Sequence, residues 1–171
     1  MFERIGKTTM NIKGLIAAGA ISFVVSGTAE ASQGSWDKPT PALPNPAEIT
    51  VYRSPTCGCC AKWLEHMKKH GFLIRDIQEM NMDAIKRKLG VPLELQSCHT
   101  GVVDGYVIEG HVPAGDVKKL LGTKSDLAGL AVPGMPAGAP GMEMGERKDA
   151  FAVVGFSKDG KTRVFSEYGS D

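Results

Sequence analysis

The run Ile49-Thr50-Val51-Tyr52 closes at Ser54-Pro55 and leads at once into Cys57-Gly58-Cys59-Cys60, with Trp63, Leu64 and Met67 beyond. β-Branched and aromatic residues ended by a proline read as a short strand. Cys60, Trp63, Leu64 and Met67 then recur at helical spacing, while Lys62, Glu65, His66 and Lys69 fall on the other face. Gly71 stops the helix. A strand that passes directly into a helix whose first turn carries three cysteines is the core of the pattern.

Working outward, Phe72 to Ile77 reads as a second strand and Met82 to Leu89 as a second helix, ended by Gly90 and Pro92. Gly101-Val102-Val103 and Tyr106-Val107-Ile108, turned at Asp104-Gly105, form a hairpin, and Pro113 opens a third helix through Leu121. Gly129 to Gly145 is rich in glycine and proline and reads as a long loop. Phe151 to Phe156 and Thr162 to Phe165, turned at Asp159-Gly160, make a last hairpin. The order β-α-β-α-β-β-α, with cysteines between first strand and first helix, is the thioredoxin arrangement. The expected fold class is therefore α/β, a thioredoxin-like three-layer fold with a mixed sheet, flanking helices and an added C-terminal β-hairpin.

Ahead of this domain, Arg4, Lys7 and Lys13 precede an apolar run from Gly14 to Val25, and Ala29-Glu30-Ala31 supplies small residues at a cleavage spacing. Residues 1–31 read as a secretory signal peptide. The apolar run is too short for a membrane span, which needs about 20 residues. Residues 32–48, with Pro39, Pro41, Pro44 and Pro46, read as a proline-rich flexible leader, and 49–171 as the domain. Without Arg4, Lys7, Lys13, Glu3 and Glu30, the 20 basic and 19 acidic residues of the whole chain come into balance. A neutral domain has no surplus charge to neutralise phosphates, so a nucleic-acid partner is excluded, as is stable membrane insertion after cleavage. The expected location is the periplasm, an oxidising compartment.

Thiolates at a helix N-terminus are favoured by the unpaired N–H groups and the helix dipole. A thiolate is both the nucleophile of disulfide exchange and a ligand of soft metals. Exchange needs two cysteines, for which Cys57 and Cys60 suffice, and this leaves Cys59 surplus. Cys-x-Cys-Cys is not a usual zinc spacing, whereas crowded thiolates suit copper(I), which is soft and accepts low coordination numbers. Two ordinary disulfides are the bland alternative. In the proposed fold Ser97-Cys98-His99-Thr100 stands where thioredoxins carry a substrate-aligning proline, so Cys98 faces the other cysteines with His99 beside it. His111 lies at a strand end, where it lines the site or makes a structural hydrogen bond. Met135, Met142 and Met144 offer thioether ligands or cover apolar surface. His66 and His70, set among lysines, are expected on a solvated helix face.

Four motifs in order carry a resemblance: Cys57-Gly58-Cys59-Cys60, Ser97-Cys98-His99-Thr100, Gly110-His111-Val112-Pro113, and Gly129 to Pro136 followed by Pro140-Gly141-Met142. From Ile49 to Phe165 the chain resembles the CopG-type periplasmic copper-resistance proteins, a thioredoxin-like family long filed as a domain of unknown function. The resemblance implies copper binding, with Cys57, Cys59, Cys60 and Cys98 holding a cysteine-bridged multinuclear cluster of copper, as Cu(I), and a redox role in copper detoxification. His99, His111, Met135 and Met142 are secondary candidate ligands, and the partners expected are copper ions and other periplasmic copper-handling proteins. The competing expectation is an enzyme, a thiol-disulfide oxidoreductase using Cys57 as attacking and Cys60 as resolving cysteine.

Overall fold

The computed structural model describes Met1, Trp36 and residues 38–170. Apart from Met1, the segment read as a signal peptide lies outside the described residues, as do the first residues of the leader. The described residues from Trp36 to Ser170 belong to one compact unit. Its elements are β1 (Glu48–Arg53), α1 (Gly58–Lys69), β2 (Leu73–Gln78), α2 (Met82–Lys88), β3 (His99–Val103), β4 (Tyr106–Glu109), α3 (Ala114–Thr123), β5 (Gly129–Ala131), β6 (Phe151–Phe156) and β7 (Thr162–Tyr168). Among the described residues, no helix is long and apolar enough to cross a membrane.

The seven strands form one sheet in the order β2-β1-β3-β4-β5-β6-β7. β1 pairs in parallel with β2 through the α1 crossover and antiparallel with β3, and β3 and β4 form the expected hairpin. Neighbouring residues on a strand point to opposite faces. Ile108 and Leu130 accordingly join Trp63, Leu64 and Met67 of α1 and Val117 and Leu120 of α3 in the larger core. Val107 and Ala131, one residue away on the same strands, join Val91 and Leu95 in a smaller core on the opposite face. Helices on both faces of a mixed sheet, entered by a β1-α1-β2 unit, make the fold thioredoxin-like, and β6-β7 is the added C-terminal hairpin. Ser166 Oγ and Tyr168 OH both donate to the buried Asp116 carboxylate, at 2.6 and 2.7 Å, and so fasten that hairpin to α3. Burial and the Asp116 hydrogen bond push the Tyr168 phenol well above its ordinary pKa.

Three expectations need correction. The stretch from Gly129 is not wholly loop, because Gly129–Ala131 is a buried strand parallel to β4. A Cβ at Gly129 would lie 2.0 Å from the Val107 carbonyl oxygen, so the slot beside β4 admits only glycine there. A three-residue strand that begins on glycine carries no β-type pattern, and the neighbouring strand creates it. Second, His66 and His70 are both buried, each 8% exposed. His66 Nε2 accepts from the Ala114 backbone N–H at 3.0 Å, satisfying a donor at the start of α3. His70 Nε2 donates to the Trp36 carbonyl at 2.8 Å, and its Nδ1 lies 3.0 Å from Thr40 Oγ1.

Only the edge of α1 that carries His66 and His70 is covered, by Trp36 and Thr40 of the chain preceding β1 and by the start of α3, while Lys62, Glu65 and Lys69 stay exposed as the sequence implies. The packing of that preceding chain is the third difference. The described part of the leader lies against the domain. Trp36 packs on Phe151 and Tyr168 and donates to Gly138 O at 2.6 Å, Leu43 packs on the larger core, and Lys118 Nζ donates to Pro41 O at 2.9 Å. Proline content signalled an extended backbone, but the aromatic anchor that holds it was one residue in the middle of a polar segment.

Candidate metal centre

The centre follows from one pairing in the sheet. Arg53, the last residue of β1, lies opposite His99, the first residue of β3. The chain leaving β1 and the chain entering β3 are therefore side by side, which brings Cys57 to Cys60 against Cys98. A turn in which Cys57 N–H donates to Ser54 O at 3.1 Å delivers Cys57 to the N-cap of α1. The Cys57 side chain makes no capping bond and the first turn holds no acidic residue, so the N-terminal N–H groups leave a positive field at the cysteines.

Cys57 and Cys60 are joined in a disulfide, and Cys59 and Cys98 are free thiols. Cys59 Sγ lies 3.6 Å from Cys57 Sγ and 4.0 Å from Cys98 Sγ. All four sulfurs fall within 4.8 Å of one another. Cys60 is buried and the other three are half-buried, so the group opens toward solvent on one side.

Two imidazoles close the other side. His111 Nε2 lies 3.0 Å from Cys98 Sγ and His99 Nδ1 lies 3.2 Å from it, and these three atoms also fall within 4.8 Å of one another. His111 Nδ1 donates to the Pro140 carbonyl at 2.7 Å, and since a carbonyl only accepts, Nε2 is the bare nitrogen. Burial holds the His111 pKa below its ordinary value. Burial, with the charges of His111 and Lys86, holds that of His99 far below its own. Both rings are therefore neutral near pH 7. Burial, and next the Cys59 sulfur, pushes the Cys98 thiol up to about 12, so Cys98 stays protonated near neutral pH.

The loop after β5 covers the centre. Met142 is buried at 7% exposure, while Met135 at 57% and Met144 stand exposed. Gly134 accepts a hydrogen bond from Ser97 Oγ, which ties the loop to the residue before Cys98. Gly141 has φ +82, and a Cβ there would lie 2.7 Å from Trp63 N and 3.1 Å from Cys59 O. Gly141→Ala is therefore expected to lift the loop off the first turns of α1 and to destabilise the protein by about 1–3 kcal/mol, the range for a residue forced into a strained backbone region. Urea unfolding measures it; a change within about 0.5 kcal/mol would show that the loop is not held there.

Sequence reasoning missed the support beneath the site. Lys86 on α2 and Glu109 on β4 form an ion pair with side chains 5% and 0% exposed. Glu109 Oε1 also accepts from the Ser97 N–H at 2.6 Å, and Oε2 accepts from Thr100 Oγ1 at 2.6 Å. One carboxylate, two residues before His111, thus holds the Ser97 backbone on one side of Cys98 and the Thr100 side chain on the other. The available signal was Lys86 itself, which falls on the Met82–Leu89 stripe of α2, where an apolar residue is expected.

The family described as "Protein of unknown function, DUF411" matches residues 95–142, the segment that carries Cys98, His99, His111 and the covering loop. Two solved structures are similar at 51% identity. "Copper resistance protein copG- Form 1" is matched over 74% of this chain and 100% of its own, with a TM-score of 0.71. "Copper resistance protein copG- Form 2" is matched over 72% of this chain and 99% of its own, with a TM-score of 0.70. The chain belongs to the CopG family. Among curated proteins none matches. Identity at this level over nearly the whole of the solved CopG chains goes beyond a shared fold.

Proposed function

We propose that the chain is a periplasmic copper-binding protein that contributes to copper resistance, with residues 1–31 as its secretory signal. In the reduced protein Cys57, Cys59, Cys60 and Cys98 together hold copper(I), which bridging thiolates gather into a multinuclear cluster. The observation that carries this reading is the convergence of four sulfurs within 4.8 Å, two more than disulfide exchange requires. Two solved structures, both described as copper resistance protein copG, support it. Copper(I) is soft and tolerates low coordination, so closely spaced thiolates can each bridge two ions.

Copper here is cargo, and the disulfide governs its uptake. With Cys57 and Cys60 joined, two of the four sulfurs have no charge to offer. Two-electron reduction returns them as thiols, and the field at the start of α1 favours their ionised forms. Anaerobic titration of the reduced domain with copper(I) is expected to show several ions per chain, and the Cys57–Cys60 disulfide form far fewer. Equal uptake by both forms would overturn the assignment.

The same disulfide, at a helix N-terminus with Cys57 half-exposed, favours a second reading as a thiol-disulfide oxidoreductase. Cys57 would attack a substrate disulfide and Cys60 resolve it. Turnover of a disulfide substrate by metal-free protein, undiminished in Cys59→Ser, would favour this enzyme, because exchange makes no use of the third cysteine.

A further inference from the structure

Trp36 of the leader reaches the loop that covers the centre. Its indole Nε1 donates to the Gly138 carbonyl at 2.6 Å, and its ring packs on Phe151 and Tyr168 at 6.1 and 5.1 Å between centroids, with the His66 ring edge-on at 6.5 Å. Its own carbonyl accepts from His70 Nε2 at 2.8 Å, and the Thr40 hydroxyl donates to His70 Nδ1 at 3.0 Å. One residue thus joins the leader, the end of α1, the β6-β7 hairpin and the covering loop.

The two ends of the described leader are held differently. From Leu43 onward the chain is fixed by burial: Leu43 and Ala47 pack in the larger core, and the Ala47 carbonyl accepts from the Leu73 N–H at 2.9 Å. Upstream, Trp36 and Thr40 are only half-buried, and clefts of about 320 and 230 Å³ run beside the Trp36 ring, the first reaching Gly141 and the second Asp149. Protein interiors are close-packed, so a ring with open space beside it is seated on a surface and can leave while Leu43 stays in place.

The loop itself buries little. Between Ala137 and Asp149 its buried side chains are Ala137, Ala139, Pro140 and Met142, and its base is closed by Ala137 N–H to Asp149 Oδ2 and Asp149 N–H to the Ala137 carbonyl, both at 2.9 Å. A segment with few buried apolar contacts opens locally before the domain unfolds. Gly138 N–H donates to the Met142 carbonyl at 2.9 Å, and the turn between them presents the Pro140 carbonyl to His111 Nδ1 and lays Gly141 against Trp63 N and Cys59 O. The Trp36 hydrogen bond therefore enters the loop at the start of the turn that touches the centre. We propose that Trp36 is a latch: while seated it holds the covering loop closed, and when it leaves, residues 138–142 lift from His111 and the first turns of α1. It positions the loop and is not a ligand. The latch then sets how fast cargo enters and leaves the centre, with little effect on how much is bound, because opening of a cover limits such exchange. This inference rests on the copper reading above for the identity of the cargo, but the latch itself belongs to the metal-free protein.

Hydrogen–deuterium exchange on metal-free protein processed after Ala31, wild type against Trp36→Ala and Trp36→Phe, tests the latch directly. In Trp36→Ala the amides of Gly138, Met142 and Asp149 are expected to exchange about tenfold faster, while those of β1 and β3 keep their protection. Trp36→Phe keeps a ring and loses the Nε1 donor, so it should fall between the two. Loop protection unchanged in Trp36→Ala, or lost equally in β1 and β3, overturns the latch. In the reduced proteins loaded with copper(I), transfer to a chromogenic chelator should run about tenfold faster in Trp36→Ala, with the copper per chain unchanged. A transfer rate equal to that of wild type overturns the gating role even where the loop has loosened. Failure of the wild-type protein to take up copper(I) removes the copper reading, and the hydrogen-exchange result alone then decides the latch.

Discussion

Cys98→Ser is expected to abolish tight, multinuclear copper(I) binding by the reduced protein while leaving the fold intact. Cys98 is the one cysteine of the four that is not on the Cys57–Cys60 segment. Its sulfur lies 4.0 Å from Cys59 Sγ and within 4.8 Å of the other three, so in the proposed four-sulfur site it is the one ligand supplied from the β3 side. A serine oxygen is harder than sulfur and stays protonated, so it neither attracts nor bridges copper(I). Loss of an outer-shell partner typically costs 10–100-fold in metal affinity, and loss of a bridging ligand is expected to exceed about 100-fold. The half-buried side chain is close in size to serine, so the melting temperature should move little. Competition with a chromogenic copper(I) chelator measures the affinity, and copper per chain measures the nuclearity. Binding unchanged in this variant would sink the four-sulfur site.

The second large effect is on stability. Glu109→Ala is expected to cost about 3–5 kcal/mol, because it strands the buried Lys86 ammonium, and removing one partner of a buried pair costs that much. For a domain of this size the melting temperature should fall by about 10 °C. The Ser97 N–H and Thr100 hydroxyl lose their acceptors as well, so the backbone on either side of Cys98 loosens. Replacing both charges, Glu109→Leu with Lys86→Met, should recover a large part of the loss, since an apolar pair of similar volume carries no desolvation cost. Thermal unfolding followed by circular dichroism distinguishes the cases. A single-variant loss below about 1 kcal/mol would show that the pair does not support this end of the sheet.

Periodicity made most of the fold legible. α1 reads correctly because Trp63, Leu64 and Met67 fall on one stripe and Gly71 ends it; the structure stops the helix at Lys69 and gives Gly71 φ +88. The β3-β4 hairpin reads correctly because Asp104-Gly105 admits the positive φ of a tight turn, +47 and +82. β5 did not read at all, because Gly129-Leu130-Ala131 is a strand only by virtue of the slot between β4 and β6. The burial of His66 and His70 depended on a chain segment more than twenty residues away, which no local window contains.

The amino-acid sequence by itself determined that three thiols crowd the first turn of a helix and that a fourth thiol precedes the third strand; spacing suffices for that, since neighbours on a helix turn are close in any fold. The CopG resemblance came from four motifs in order and not from spacing. Only the tertiary structure decided which groups meet. The antiparallel pairing of Arg53 with His99 brings Cys98 to the other sulfurs. The return of β4 places His111 Nε2 on the far side of Cys98, and the Pro140 carbonyl fixes which nitrogen it presents. The Lys86–Glu109 pair beneath them joins two elements that sequence keeps 23 residues apart. Distances across a sheet are set by strand register, which burial of both faces enforces and which no single strand records.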